Sequence, residues 1–229
     1  CMKNNQIQVC QKQEILKFPY MQNRQPLIEV IPTCADLSKF KPEKVHQHFP
    51  NHFVVGYSGS IGLWYDFPST VRTYLAFKKK LNVPTLFLIL NKTEHVKIKE
   101  VLESFGVEKE EYFLIESDSD EMPYWIHQMN VGIYFIHPSF SKKASHPTKL
   151  GEILGCGKSV ITNSGIGDSD KVLLENRVGI ITRSRDEEMI EKAVSDWIEL
   201  SKDPELSNRA VQIAQKYYSA ADMGRVRVG

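Results

Sequence analysis

The sequence predicts an α/β protein built on a doubly wound, parallel, six-stranded sheet. Short apolar runs of strand length alternate with amphipathic segments of helix length from residue 53 to residue 181. The strand segments are apolar throughout, which is typical of strands that helices cover on both faces. Ligands of such sheets bind beyond the carboxyl ends of the strands, at the point where the strand order reverses.

Each element follows from its local pattern. Apolar runs predict strands at residues 53–57, 85–90, 112–115, 131–136, 159–162 and 178–181. Apolar periodicity and end signals predict helices at about 66–81, 93–105, 122–128, 147–156, 168–176 and 186–200, and from beyond Pro204 to 218. A further short strand at 27–31 is stopped by Pro32 and has no expected partner nearby.

Four segments organise the chain. Residues 1–31 are predicted to be the tail of an incomplete N-terminal domain, because they hold too few apolar residues for a domain of their own. Residues 32–52 form a turn-rich linker, residues 53–202 the sheet domain, and residues 203–229 a C-terminal helix and tail. The polypeptide is therefore expected to be a fragment of a two-domain protein.

Composition excludes several classes of function. With 29 basic and 28 acidic side chains, the net charge gives no reason to expect a nucleic-acid partner. The four cysteines form no Cys-x-x-Cys pair, which favours a reduced, cytoplasmic protein without zinc. No apolar run reaches the roughly 20 residues that span a bilayer, although a peripheral contact with the inner face of a membrane stays open.

Two polar clusters contain side chains that can bind metal ions, but a metal site is the favoured interpretation of neither. His46, His48 and His52 lie in a proline-bounded loop, where a metal site is the less favoured interpretation. Residues 117–121 carry acidic and hydroxyl side chains just before a helix, which favours capping of that helix. No metal or cofactor is expected.

The central candidate site is the segment from His146 to Thr162. Pro147 suits the first turn of a helix and Gly157 suits its left-handed end. Such a helix start offers unpaired N–H groups to a phosphate, and Lys149 adds a full positive charge. Glu152 lies on the same face about 4.5 Å further along the axis, where a carboxylate can bind a ribose diol.

The segment admits two other interpretations. An ordinary surface helix would have Lys149 and Glu152 paired with each other or with water. A nucleotide-triphosphate loop is rejected, since five residues separate Gly151 from Gly157 and the segment ends a helix instead of opening one.

Residues 147–161 resemble the signature of the donor domain of group 1 glycosyltransferases, which are retaining enzymes with two Rossmann-like domains (GT-B type). Residues 54–62 resemble the first strand and glycine loop of that domain, and residues 28–40 resemble the passage between its two domains. Residues 131–139 fit the strand before the signature. The likeness covers residues 27–218 in consistent order and spacing.

This resemblance implies a donor-binding half whose partner is a missing N-terminal acceptor domain. It implies transfer of a sugar, of the hexosyl type, from a nucleotide diphosphate sugar to a glycan or lipid-linked acceptor, as in polysaccharide biosynthesis. Lys149 would stabilise the leaving diphosphate and Glu152 would bind the ribose. The other implied donor-binding residues are Gly59, Ser60, Gly62, Ser139, His146, Pro147 and Thr148.

The sequence departs from the family pattern at two places. Ala144 stands where many relatives have an acidic residue, and Leu63, Trp64 and Tyr65 stand where many have Arg and Lys. A nucleotide-sugar epimerase that uses His137 or His146, and a non-catalytic Rossmann-like binding module, therefore remain alternatives. A dinucleotide oxidoreductase ranks last because the loop at Gly59 lacks a third glycine. The base, sugar, acceptor and oligomeric state are not determined by the sequence.

Overall fold

The structure is a computed structural model, which describes residues 7–8, 28–29, 33–62, 64–139, 142 and 147–219. The predictions for most of the segment before residue 33, for His146 and for the tail after residue 219 lie outside the described residues. The proposed domain boundary near residue 31 is among them.

Eight strands are present in the described residues. They are β1 (Ile7–Gln8), β2 (Ile28–Glu29), β3 (Phe53–Ser58), β4 (Thr85–Leu90), β5 (Tyr112–Ile115), β6 (Val131–Ile133), β7 (Ser159–Asn163) and β8 (Gly179–Thr182). The last six form one sheet in the order β5-β4-β3-β6-β7-β8, and every pairing in it is parallel.

Seven α-helices connect and cover these strands in the described part of the chain. They are α1 (Phe67–Lys80), α2 (His95–Ser104), α3 (Met122–Gln128), α4 (Thr148–Gly155), α5 (Ser169–Asn176), α6 (Glu187–Leu200) and α7 (Leu206–Tyr218). Helix α1 packs with α6, and α4 and α5 pack with α7. From the centre of the sheet the chain runs to one edge through β3, β4 and β5, and then to the other edge through β6, β7 and β8. Right-handed crossovers therefore place α1 and α6 on one face of the sheet and α4, α5 and α7 on the other. The predicted doubly wound parallel sheet is confirmed.

The predicted end signals of the central helix are present. Pro147 precedes the first helical residue, Thr148, and Gly157 has a φ of +73° after the last turn. The N–H of Gly157 donates to the Leu154 oxygen at 2.9 Å, and the N–H of Lys158 donates to the Ile153 oxygen at 3.1 Å. These bonds satisfy carbonyl groups that the end of α4 would otherwise leave open.

Three local predictions are wrong. The strand expected at 131–136 ends at Ile133, and Ile136 instead forms an antiparallel bridge with Tyr65. The strand at Ile28–Glu29 does have a partner, because it pairs in parallel with Ile7–Gln8.

Residues 117–121 do not cap α3. Glu121 occupies the N-cap position and its side chain makes no capping hydrogen bond. Asp120 instead pairs with Lys39 at 2.7 Å, and Asp118 lies 3.7 Å from Lys92. The acidic cluster is thus used in tertiary ion pairs, which local sequence signals do not reveal.

Aromatic packing fixes α6 over the sheet. The Trp197 ring lies 5.7 Å from that of Phe53 and 5.4 Å from that of Phe77, and its Nε1 donates to the Ser159 hydroxyl at 2.8 Å. Burying one such side chain contributes about 1.5–3 kcal/mol to stability.

On the opposite face, the linker lies against α4 and α7. The N–H of Ala35 donates to the Tyr218 oxygen at 3.0 Å, and Ala35 forms a parallel bridge with Ser219. A Cβ added at Gly155 would lie 2.5 Å from the Phe40 oxygen, so the glycine allows the linker backbone to contact the helix directly. The linker thus packs directly against the C-terminal turn of α4 and the end of α7.

The described residues contain neither a helix able to span a membrane nor a cluster able to hold a metal ion. No helix there has both the length and the apolar character to traverse a bilayer. No group of three or more histidine, cysteine, aspartate or glutamate residues there is arranged to hold a metal ion, and His48 packs against the rings of Phe49, Phe113 and Trp125.

Candidate donor-binding site

The candidate site lies at the carboxyl edge of the sheet, between β3 and β6. These two strands are neighbours, but the chain leaves β3 toward one side of the sheet and leaves β6 toward the other. The loops that follow them diverge and open a crevice. The glycine loop after β3 forms one side of this crevice, and the N-terminal end of α4 forms the other.

Lys149 connects the two sides directly. Its Nζ donates to the Ser58 oxygen at 2.8 Å, at the end of β3. A Cβ added at Gly59 would lie 2.6 Å from the same Nζ. Gly59 has a φ of +127°, a conformation that side chains disfavour. The predicted proximity of Gly59 and Lys149 is therefore present in the structure.

Three tyrosine rings surround the ammonium group of Lys149. Its Nζ lies 4.0 Å from the ring centroid of Tyr65, and 5.4 Å from the centroids of both Tyr57 and Tyr134. Desolvation in this setting lowers the pKa of Lys149 to about 7, and the nearby charge of Glu152 opposes the shift only weakly. The Tyr65 ring, the nearest of the three, makes a cation–π contact with the ammonium group.

Glu152 lies one helical turn beyond Lys149 and is half-buried. Burial raises the pKa of its carboxyl group, and the charge of Lys149 acts in the opposite direction. Lys149 and Glu152, both described, form no ion pair with each other, so the pairing expected for an ordinary surface helix is not found. The carboxylate of Glu152 also accepts no hydrogen bond from any described residue, which leaves its oxygens able to accept bonds from a ligand.

The glycine loop is held by contacts within the protein. The N–H of Gly59 donates to the Leu90 oxygen at 2.9 Å, and the N–H of Gly62 donates to the Ser60 hydroxyl at 3.0 Å. The phenol of Tyr57 donates to the Ser60 oxygen. The amides of Gly59 and Gly62 are therefore engaged within the protein, and so are the hydroxyl and the carbonyl oxygen of Ser60, whose hydroxyl also pairs with Glu94.

Two residues that the sequence did not single out hold this loop from the side of β4. Asn91 Nδ2 donates to the Gly59 oxygen at 2.9 Å, and Glu94 Oε2 accepts from the N–H of Ile61 at 2.8 Å. Asn91 Oδ1 also accepts the N–H of Glu94 at 2.6 Å. The available signal was the position of Asn91 directly after a predicted strand that ends at the same edge of the sheet.

A cavity of about 470 Å³ adjoins the glycine loop on this side. It lies beyond the carboxyl ends of β3, β4 and β5, which is the expected place for a ligand. Its lining residues are Gly59, Ser60, Leu90, Asn91, Lys92, Thr93, Glu94, Ser117 and Met122.

The remaining predicted residues are placed as follows. Pro147 and Thr148 lie at the N-terminal end of α4, where the first backbone N–H groups have no partner within the helix. Ser139 is half-buried beyond the end of β6. His146 lies outside the described residues.

The comparison with known proteins agrees with this architecture. The family described as "Glycosyl transferases group 1" matches residues 39–217. None of the curated proteins matches the sequence.

Several solved structures share the fold. The C-terminal domain of a group 1 glycosyltransferase (LpcC) from Francisella tularensis is 15% identical, with a TM-score of 0.63, over 81% of this chain and 99% of that one. HepE of Anabaena, in complex with UDP, is 16% identical with a TM-score of 0.72 over 97% of this chain and 62% of HepE. Sucrose-phosphate synthase of Thermosynechococcus elongatus is 14% identical with a TM-score of 0.69 over 98% and 58%.

The chain thus spans about 60% of the length of the larger structures that it matches. Because the family match covers most of the chain and the sheet has the same fold as these enzymes, the protein belongs to the group 1 glycosyltransferases.

Proposed function

We propose that this chain is the donor-binding part of a retaining glycosyltransferase. It would transfer a hexose from a nucleotide diphosphate sugar to a glycan or lipid-linked acceptor. The observation that carries the proposal is the contact of Lys149, from the N-terminal end of α4, with the loop at Ser58 and Gly59. One cation, one helix terminus and one glycine loop then converge on the place where a diphosphate would lie.

Each part of the donor binds to a different set of residues. Lys149 and the amides of Thr148 and Lys149 bind the diphosphate, with Ser60 approaching it from the opposite loop. Glu152 accepts hydrogen bonds from the ribose hydroxyls. The cavity beside Gly59 receives the base, and the segment 139–146 faces the donor sugar. This order matches a ligand laid across the carboxyl edge of the sheet.

The chemistry required of these residues is electrostatic. As the bond from the sugar to the diphosphate breaks, negative charge develops on the leaving phosphate oxygens. Lys149 and the positive end of α4 stabilise that charge. Since these groups supply positive charge themselves, we propose that the reaction needs no metal ion. No covalent nucleophile is assigned.

The acceptor completes the proposal. It would be bound by a second domain that faces the crevice, and we propose a cytoplasmic location, at the inner face of the membrane where the acceptor is lipid-linked. HepE has been solved with UDP and with UDP-glucose, and TarM of S. aureus with UDP. UDP is therefore the first nucleotide to test.

The test is a thermal-shift panel of UDP, GDP, ADP and NAD on the wild type and on Glu152→Ala. We expect one nucleoside diphosphate to raise the melting temperature of the wild type. Glu152→Ala should weaken its binding by about 10- to 100-fold, the cost of losing hydrogen bonds to a charged acceptor. Glu103→Ala, at an exposed position of α2, is the matched control and should behave as the wild type. Stabilisation by NAD alone, or by no nucleotide, would refute the proposal.

A further inference from the structure

Three side chains from separate elements meet beside the candidate site. Arg185 lies in the connection from β8 to α6, and its Nη1 donates to Asp66 Oδ2 at 2.8 Å. The same Nη1 lies 3.1 Å from Nδ1 of His137, which follows β6. Neither the resemblance nor the proposed function assigns a role to Arg185 or Asp66.

The Asp66 carboxylate anchors the cluster. It caps α1 by accepting the N–H of Ser69 at 3.1 Å and the Ser69 hydroxyl at 2.6 Å. Burial alone would raise the pKa of Asp66, but the hydrogen bonds from Ser69 and the charge of Arg185 lower it overall. Asp66 therefore stays ionised and holds Arg185 in place beside His137.

This contact determines which nitrogen of the imidazole carries the proton. A guanidinium group donates hydrogen bonds and cannot accept them. His137 Nδ1 must therefore accept from Arg185, and the proton of the neutral ring lies on Nε2. The side chain of His137 is exposed, so its Nε2–H is available to a ligand.

The neighbours of His137 place it close to the diphosphate-binding lysine. The N–H of His137 donates to the Trp64 oxygen at 2.9 Å, and the preceding residue, Ile136, is bridged to Tyr65. The Tyr65 ring in turn lies 4.0 Å from Lys149 Nζ. His137 therefore directly follows the bridge that holds Tyr65 against Lys149, which brings it near the place proposed for the diphosphate and the sugar attached to it.

We propose that Arg185 holds His137 as its Nε2–H tautomer, and that this N–H donates a hydrogen bond to a hydroxyl group of the donor sugar. The inference rests on the proposed function for the identity of the ligand, but not for the tautomer. His137 is then a sugar-binding residue and Arg185 a positioning residue. With Nδ1 engaged, His137 offers a donor and no basic nitrogen, which argues against its use as the base of an epimerase.

The tautomer is tested first, without any ligand. The full chain is labelled with ¹⁵N at its seven histidines and studied by long-range ¹H–¹⁵N correlation spectroscopy, at a pH where imidazoles are neutral. The signals of His137 are assigned by their loss in His137→Gln. We expect the Nε2–H pattern in the wild type and a shift toward a mixture of tautomers in Arg185→Met. Arg183→Met, at an exposed position two residues earlier, is the matched control and should leave the pattern unchanged. An Nδ1–H pattern in the wild type, or no change in Arg185→Met, would overturn the proposal.

The sugar contact is tested by calorimetry with UDP and UDP-glucose, and with GDP and GDP-mannose. His137→Ala should weaken binding of the nucleotide sugar about 3- to 10-fold, as expected for one hydrogen bond, and leave binding of the nucleoside diphosphate unchanged. His137→Gln keeps an N–H at the same reach and should restore most of the affinity. Arg185→Met should show a smaller loss of the same kind.

The outcomes separate this inference from the proposed function. Equal effects of His137→Ala on nucleotide and nucleotide sugar, or no effect on either, would refute the sugar contact while the donor site stands. A wild type that binds neither class of ligand would refute the proposed function and the sugar contact together, and the tautomer would still be decided by the spectra.

Discussion

Lys149 should make binding of the donor depend on pH near neutrality. Its pKa of about 7 in the free protein means that the ammonium is largely lost about one pH unit above that value. A diphosphate beside Nζ favours the charged form, so binding should take up close to one proton at about pH 8. The affinity should fall about tenfold from pH 6 to pH 8, and about tenfold for each further unit.

The other titratable groups that face Lys149 do not themselves make the affinity depend on pH in this range. Burial raises the pKa values of Tyr57, Tyr65 and Tyr134 above the ordinary value, so these rings stay neutral through the window. Glu152 faces Lys149 from the same helix, and Glu152→Gln should lower the affinity while leaving its dependence on pH unchanged.

The assay is isothermal titration calorimetry with a nucleotide sugar, because its diphosphate does not titrate near pH 7. Two buffers of different ionisation enthalpy report the number of protons taken up. In Lys149→Arg the side chain stays charged at every pH tested, so the affinity should no longer change with pH. Lys158→Met replaces a second lysine whose pKa burial lowers, and should retain the slope. A wild-type affinity that is constant from about pH 6 to pH 9, or an equal dependence on pH in Lys149→Arg, would show that Lys149 does not titrate in this range.

Lys149 should also make the stability of the fold depend on pH. The folded-state pKa of Lys149 lies below its ordinary value, so the unfolded chain binds more protons between about pH 7 and pH 10. The free energy of unfolding should therefore rise with pH through this window, by at most about 1.4 kcal/mol per unit from Lys149, and by less because part of the side chain is exposed. Lys149→Met should remove this part of the slope in denaturant titrations, and an unchanged slope would contradict it.

Three further outcomes are expected. Gly59→Ala should abolish nucleotide binding and destabilise the fold by about 1–3 kcal/mol, because a Cβ there meets Lys149 and the backbone is strained. Gly106→Ala is the control, since it is also at positive φ but has no atom within 4 Å of the added Cβ, and it should keep nucleotide binding in calorimetry. Gly155→Ala should lower the melting temperature because its Cβ would meet the backbone oxygen of Phe40, and a melting temperature equal to that of the wild type would show that this contact is unimportant. Treatment with EDTA should leave nucleotide binding unchanged, and a loss restored by a divalent cation would contradict the metal-independent proposal.

Most of the fold could be predicted because its signals are local. Pro147 and Gly157 mark the ends of one helix regardless of the rest of the chain, and the apolar runs mark buried strands. The predictions failed where a residue's partner is distant. Beyond the end of β6, Ile136 bridges to Tyr65, and the acidic residues before α3 pair with lysines far away in the sequence.

For the candidate site, local sequence signals predicted which chemical groups are present: a lysine and a glutamate one turn apart, at the start of a helix and opposite a glycine loop. That information is local, since it depends on helical spacing and on backbone freedom at glycine. The surroundings of these groups, in contrast, depend on the tertiary fold. The three tyrosines that surround the ammonium group of Lys149, and the arginine beside His137, come from elements that the sheet order brings together. Desolvation and hydrogen-bond geometry depend on atoms within a few ångströms, and sequence distance does not report that proximity.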